Sequence, residues 1–345
     1  MKQLPLKLAG AISRRHLNTA LVAWPLASLS GLARAATAQW SASPPVPAPA
    51  LVRIGFQKSA VNLVILKQQG SLEQRFPNSK VQWVEFPAGP QLLEALAVGS
   101  LEFGMTGDSP PVFAQAAGKD LLYVGAEPAK PLSSAVLAPA GSPLNTLADL
   151  KGKRIALQKG SSAHYLVVRA LEKAGLQWSD IEPAYLTPSE ARAAFERGAV
   201  DAWGIWDPFY AAAELAIKPK VLSTGVGLSS NNSIYLASKP FTEQHPQAVQ
   251  TLLDTLSGAD AYVQNQRKEA AQLIADFSGL SLATVHLFLS RRPVSPVAPL
   301  TAAIAADQQR VADAFFKLEL IPRAIKVTDI VWQAGRAPGA SLAQR

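Results

Sequence analysis

Two carboxylates stand at matching places in a phrase that the chain writes twice. Gly99-Ser100-Leu101-Glu102 runs on to Asp108, and Gly198-Ala199-Val200-Asp201 runs on to Asp207, with a proline close behind each aspartate. Paired carboxylates can do general acid–base work, so Asp108 and Asp207 first read as a candidate acidic site. The partners for such chemistry are poorly represented. The chain has no cysteine, and after His16 its histidines are His164, His245 and His286, without H-E-x-x-H spacing. There is no G-x-S-x-G nucleophile turn and no P-loop. A hydrolase reading has no positive support in the sequence, and no catalytic or metal-ligating set is assigned.

The elements that must position these residues are also written twice. Arg53-Ile54-Gly55-Phe56-Gln57-Lys58 matches Arg154-Ile155-Ala156-Leu157-Gln158-Lys159, 101 residues apart. Each is a short apolar strand that ends in a small-residue loop and enters a helical stretch, residues 60–76 and 162–176. An extended run follows each helix, and Pro87 and Pro188 are again 101 apart. Second helices then end at Gly99 and Gly198, read as C-caps. Strand–helix–strand–helix–strand, twice, predicts an α/β fold of two lobes, each a mostly parallel sheet flanked by helices. Such sheets bind ligands beyond the C-terminal ends of their strands. The loops after Gln57 and Gln158 and those at Asp108 and Asp207 then line one cleft.

The links between lobes are read at Ser133–Gly141, which leaves the first unit, and at Ser233–Phe241, which returns. Two crossover strands make a hinge. Lobe I is placed at 52–133 and 239–332, and lobe II at 134–238. The helix in residues 301–320 presents Ile304, Val311, Phe315 and Leu318 on one face and is expected to pack as a strap. Residues 333–345 read as a tail.

Composition gives the address. The 345 residues are 48% hydrophobic and 17% charged, enough for large cores. Residues 1–38 carry a basic start (Lys2, Lys7, Arg14, Arg15), an apolar stretch, and small-x-small sites ending at Ala35 and Ala38. They read as a secretory signal for the general or the twin-arginine route. Residues 39–51 read as a Pro/Ala linker. The formal charge of +8 is mostly the signal, since the remainder holds 28 basic against 25 acidic residues. No basic block with interleaved aromatics suits nucleic acid. Without cysteine there is neither a disulfide nor a lipid-attachment site, so a monomeric, freely diffusing periplasmic protein is expected.

Three long stretches carry a resemblance. Residues 85–125, "EFPAGPQLLEALAVGSLEFGMTGDSPPVFAQAAGKDLLYVG", 147–176, "LADLKGKRIALQKGSSAHYLVVRALEKAGL", and 191–214, "ARAAFERGAVDAWGIWDPFYAAAE", resemble the aliphatic-sulfonate-binding proteins of ABC importers. The likeness runs from about residue 52 to 332. It implies a type II periplasmic binding fold that closes over an alkanesulfonate and delivers it to an ABC permease, with no cofactor. Taurine, aromatic-sulfonate and nitrate binders share the superfamily and stay open as alternatives. So does an enzyme like the thiamine-pyrimidine synthases, against which the export signal and the missing cysteines argue.

An alkanesulfonate is a tetrahedral monoanion with an apolar tail. It needs donors and no proton chemistry. Lys159–Leu166, at a helix start, supplies backbone N–H groups and the hydroxyls of Ser161 and Ser162; either serine can also act as an N-cap. His164, on the first turn, can donate or be second to the site. Gln57 can donate from the opposite lobe. Trp206 can wall the tail or pack in the core, while Trp203 reads as core. Asn232, just before the return strand, is a candidate to reach into the cleft, Arg292 is a candidate at its mouth, and Gly107 and Asp108 are candidates at the lobe I loop. A bare carboxylate repels a sulfonate. Asp207-Pro208 therefore reads as an N-cap with proline at the first helical position, and Ser109 as the cap of the equivalent helix, leaving Asp207 to meet a polar tail or lock closure.

Overall fold

The computed structural model describes residues 47–333. The expected signal peptide, most of the expected Pro/Ala linker and nearly all of the expected tail lie outside the described residues. The first unit runs β1 (Leu51–Phe56), α1 (Val61–Gln69), α2 (Ser71–Arg75), β2 (Lys80–Glu85), α3 (Gly89–Ala97), β3 (Phe103–Thr106), α4 (Ser109–Ala116) and β4 (Leu121–Ala126). The second runs β5 (Ser134–Ala138), β6 (Arg154–Leu157), α5 (Ser162–Lys173), β7 (Glu182–Tyr185), α6 (Pro188–Glu196), β8 (Ala202–Trp206), α7 (Phe209–Ile217) and β9 (Lys220–Thr224). β10 (Ile234–Ser238) and the helices α8 (Lys239–Gln244), α9 (Pro246–Asn265), α10 (Arg267–Ser278), α11 (Leu282–Ser290) and α12 (Ala302–Lys317) follow.

The expected duplication is present as two five-stranded sheets, ordered β2-β1-β3-β10-β4 and β7-β6-β8-β5-β9. In each, the first three strands pair in parallel and the fourth runs antiparallel to both neighbours. Helices cover both faces of each sheet, which is why the strands read as unbroken apolar runs. Separate apolar clusters fill the faces: Ile54, Phe56 and Leu63 on one side of the first sheet, Leu92, Tyr123 and Phe315 on the other. Val136 and Leu166 fall on one side of the second sheet, and Phe195 and Trp203 on the other.

The repeated phrase has a structural role at its acid. Glu102 accepts from the Arg53 backbone N–H at 2.6 Å and from its Nε at 3.0 Å, and Asp201 accepts from the Arg154 N–H at 2.8 Å. Each acid thus anchors the start of the neighbouring parallel strand. Gly99 and Gly198 both hold left-handed φ, +72° and +69°, the conformation that ends a helix most cheaply at glycine.

Three expectations shift. The helix expected over 60–76 breaks at Gly70, whose φ is +61°. The lobe boundary at 238 moves back, because β10 pairs with β3 and β4 and so belongs to the first sheet. The crossings are therefore the short segments 127–133 and 225–233, and the strands beyond them lie wholly inside their sheets. The helix-cap register also differs. Pro208 occupies the N-cap of α7, and Asp207, one residue earlier, accepts from Ala211 N–H at 3.0 Å. Ser109 does not cap α4; it is the first helical residue and donates to Asp108 at 3.0 Å.

Candidate functional site

The two lobes meet across a small cavity of about 50 Å³. Its walls come from the C-terminal ends of the strands in both sheets, as the fold dictates. Eight of the ten residues singled out from the sequence lie on that wall: Gln57, Gly107, Ser161, Ser162, Trp206, Asp207, Asn232 and Arg292.

The lobe I donor end is the start of α1. Ala60 occupies its N-cap, no side chain caps it, and its first turn has no acidic residue. Ala60, Val61, Asn62 and Leu63 are all buried. Ala60 and Val61 N–H donate to Gln57 O and Ser59 O at 2.9 and 3.0 Å, and the start without a side-chain cap turns the positive end of its macrodipole toward the adjacent space. Ser59 and Val61 of this turn line the cavity. Facing it from lobe II is the start of α5. Here Ser161 does cap, accepting from His164 N–H at 3.4 Å while its hydroxyl donates to Gln158 O at 2.7 Å. The Ser162 hydroxyl reaches across to hydrogen-bond Asp108.

Glycine at 107 is required by that crossing. A Cβ there would sit 2.0 Å from Ser162 Oγ, a distance no real contact allows. Gly107 thus lets Ser162 of the other lobe approach closely. Trp206, its counterpart eight residues after the repeated glycine, instead places an indole on the wall, edge-on to Phe209 at 6.3 Å. Val61, Met105 and Phe288 complete an apolar side. Gln57 spends one amide N–H on Met105 O at 3.1 Å, and Asn232 donates to Glu127 O at 3.1 Å.

Two of the ten stand elsewhere. His164 is fully buried behind the wall. Its Nδ1 accepts from Gly160 N–H at 3.1 Å, and its ring packs on Trp178 at 4.8 Å and Phe315 at 5.1 Å. Burial, with Lys159 nearby, pushes its pKa down to about 3, so it is neutral and shapes the Gly160–Ser162 turn from behind. The direct-donor reading is corrected accordingly: the first turn of α5 aims residue 164 away from the cavity. Asp108 is also off the wall. Its carboxylate is buried among the hydroxyls of Ser109, Ser162 and Ser229, and burial raises its pKa.

Asp207 closes the site from lobe II. Arg291, at the end of α11 in lobe I, donates to it at 3.1 Å, pairs with Glu214, and lies 4.0 Å over the Tyr210 ring. Burial pushes the Asp207 carboxyl up to about 7 against the pull of Arg291. Arg292, expected near the mouth, is a buried part of the cavity wall. It donates to Asp260 at 2.6 Å and to Asn62 at 3.0 Å. Trp203 is core, as read.

The sequence reading missed Lys130 and Glu127. They lie on the first crossing segment, which was placed too late along the chain. The signal available was an acid and a base three residues apart just after the apolar β4. Lys130 Nζ donates to Ser233 Oγ on the second crossing segment and lies 3.6 Å from Glu127. Glu127 accepts from Tyr235 at 2.7 Å and Asn62 at 3.1 Å. Nearby cations and hydrogen bonds outweigh burial and hold its pKa low.

Comparison with known proteins agrees with this fold. The NMT1/THI5-like family model matches residues 80–270. An Escherichia coli K12 protein named for binding aliphatic sulfonates is 48% identical over 294 residues, 85% of this chain and 92% of the relative. The crystal structure of the periplasmic aliphatic sulphonate binding protein SsuA from Escherichia coli has a TM-score of 0.77 at 47% identity, covering 86% of this chain and 97% of that one. The alkanesulfonate-binding protein SsuA from Xanthomonas axonopodis pv. citri, solved bound to MOPS, has a TM-score of 0.80 at 48% identity, covering 84% of this chain and all of that one. On its fold, its duplicated lobes and these relatives, the chain belongs to the NMT1/THI5-like family, among the aliphatic sulfonate-binding proteins.

Proposed function

We propose that the interlobe cavity captures alkanesulfonates and that the protein, working as a periplasmic monomer, hands them to an ABC permease for sulfur supply. The observation that carries this reading is the pairing of one buried, uncapped helix start with an apolar wall. The start of α1 and the Ser161–Ser162 turn offer backbone N–H donors, while the two serine hydroxyls are held by Gln158 O and Asp108. A sulfonate never takes up a proton at physiological pH, so it loses nothing in such a site. Trp206, Phe288, Met105 and Val61 then accept the tail, each buried methylene contributing about 0.8 kcal/mol. The relatives named for aliphatic sulfonates support the assignment.

Taurine, aromatic sulfonates and nitrate present related heads with different tails. An apolar wall favours a longer aliphatic chain over taurine's ammonium or bare nitrate. The enzyme reading needs a reactive histidine in the cleft, and His164 has its Nδ1 engaged and its ring behind the wall.

Calorimetry and thermal melting against C1 to C8 alkanesulfonates, with taurine, benzenesulfonate and nitrate as competitors, test the proposal. Saturating ligand at a hundredfold over Kd is expected to stabilise the protein by about 2.7 kcal/mol. Absence of heat and of a melting shift with every alkanesulfonate overturns it, and preferential binding of nitrate or taurine reassigns the ligand.

A further inference from the structure

The charged side chains on the cavity wall are, among the described residues, Lys130, Asp207 and Arg292. Two of these are committed. Arg292 is matched to Asp260 and Asn62 at 2.6 and 3.0 Å, and Asp207 is held by Arg291 at 3.1 Å. Lys130 differs. An ammonium carries three N–H donors, and the Lys130 Nζ spends one on Ser233 Oγ. Glu127 Oε2, its other neighbour, is 3.6 Å away, beyond a normal hydrogen bond, while Glu127 Oε1 receives Tyr235 and Asn62. The Lys130 side chain is 14% exposed, so its remaining N–H groups have little water available and open toward the cavity.

We infer that Lys130 is the residue that reads the ligand's negative charge, turning from its loose pairing with Glu127 to an oxygen of the bound anion, and that this ties anion capture directly to the hinge. The inference rests on the cavity binding an anion, as proposed above. The link to the hinge follows from the backbone. Lys130 N–H donates to Ser230 O at 2.9 Å, and its carbonyl accepts from Ser133 N–H at 3.0 Å and from Asn231 Nδ2 at 3.4 Å. Its side chain is fastened to Ser233. Lys130 thus ties the two crossing segments together alongside Glu127 and Pro131, and a pull on its ammonium acts where the lobes pivot. The α1 and α5 helix starts supply donors with partial charge; Lys130 supplies the full charge that separates an anion from a neutral ligand of the same shape.

Calorimetry on the full chain with ethane-, pentane- and octanesulfonate tests this with Lys130→Met, Lys130→Arg and Ser233→Ala. Loss of one charge-assisted hydrogen bond in a partly dry site is expected to weaken Lys130→Met by about 30-fold. The factor should be the same for all three tails, because the lost contact is to the head. Lys130→Arg and Ser233→Ala should each stay within about 3-fold of wild type, since both keep the charge. Lys130→Met binding close to wild type overturns the inference. So does Ser233→Ala binding as weakly as Lys130→Met, which makes Lys130 a hinge pin, or a loss that grows with tail length, which makes it a shaper of the cavity. Should Lys130→Met lower the melting temperature of the unligated protein, Lys130→Gln takes its place and the Ser233→Ala comparison stands. Failure of the wild type to bind any sulfonate is a separate result, and it overturns the proposed function instead.

Discussion

The two lobes share one sheet order and one repeated phrase, yet they present different chemistry to the cleft. In lobe I the first βα loop ends on Ala60, and the α1 start is left uncapped. In lobe II the equivalent loop ends on Ser161, and the α5 start is capped by its own serine. At the third strand, lobe I has Gly107 and lobe II has Trp206. One is small enough to let Ser162 cross; the other projects a ring. The following aspartates diverge too. Asp108 is bonded by hydroxyls, whereas Asp207 is paired with Arg291 across the cleft. A duplicated frame thus keeps its strand anchors and helix ends while its loop tips separate into a donor side, a wall and a latch.

The sharpest way to break this contrast is to make lobe I resemble lobe II at the third strand. Gly107→Val puts a branched side chain where Ser162 Oγ lies, and overpacking of this kind costs about 1–3 kcal/mol. Ligand affinity is expected to fall by up to about 100-fold in calorimetry, and the melting temperature of the unligated protein by a few degrees. The reverse substitution removes the wall. Trp206→Ala should weaken octanesulfonate by about 10-fold and methanesulfonate much less, because the lost area meets the tail. Equal losses for both ligands would place the indole against the head.

The third contrast is electrostatic. The His164 pKa is depressed to about 3, below its ordinary 6.5. Its stabilising share is complete above about pH 6.5 and is lost as pH falls toward 3. The Asp207 pKa is raised to about 7 from 3.8, so its share is present below about pH 3.8 and is lost as pH rises through 7. Melting curves from pH 7 to pH 4.5 should therefore fall less steeply for His164→Gln than for wild type, and more steeply for Asp207→Asn.

The smallest effect compares the strand anchors. Glu102 binds both backbone and guanidinium of Arg53 in a mostly buried setting, whereas Asp201 makes an exposed backbone bond. Glu102→Ala should cost about 1–2 kcal/mol in urea unfolding and Asp201→Ala about 0.5 kcal/mol. Equal costs would show that the backbone bond carries the whole effect.

Much of this was legible because it depends on local spacing. The 101-residue offset between Gln57 and Gln158 and the glycines at 99 and 198 reveal the duplication and place four loops in one cleft. What stayed hidden depends on neighbours distant in sequence. His164 sits on the first turn of a helix that does face the cleft, but only Phe315 of α12 and Trp178 show that its ring is turned away. Arg291 and Arg292 are adjacent, yet one pairs with Asp207 across the lobes and the other is buried against Asp260. Lys130 carries no motif; it matters through Ser233, 103 residues away. The membership of β10 in the first sheet likewise follows from long-range pairing.

The central claim, a sulfonate head held between the starts of α1 and α5, can be read directly from sulfur. The chain has two methionines and no cysteine, and Met105 lies on the cavity wall. In a crystal grown with hexanesulfonate, a sulfur anomalous map should show one additional peak beside Met105, between Ser59–Val61 and Ser161–Ser162 and within hydrogen-bond reach of Lys130. A peak outside the interlobe cavity, or none at saturating ligand, would contradict the account.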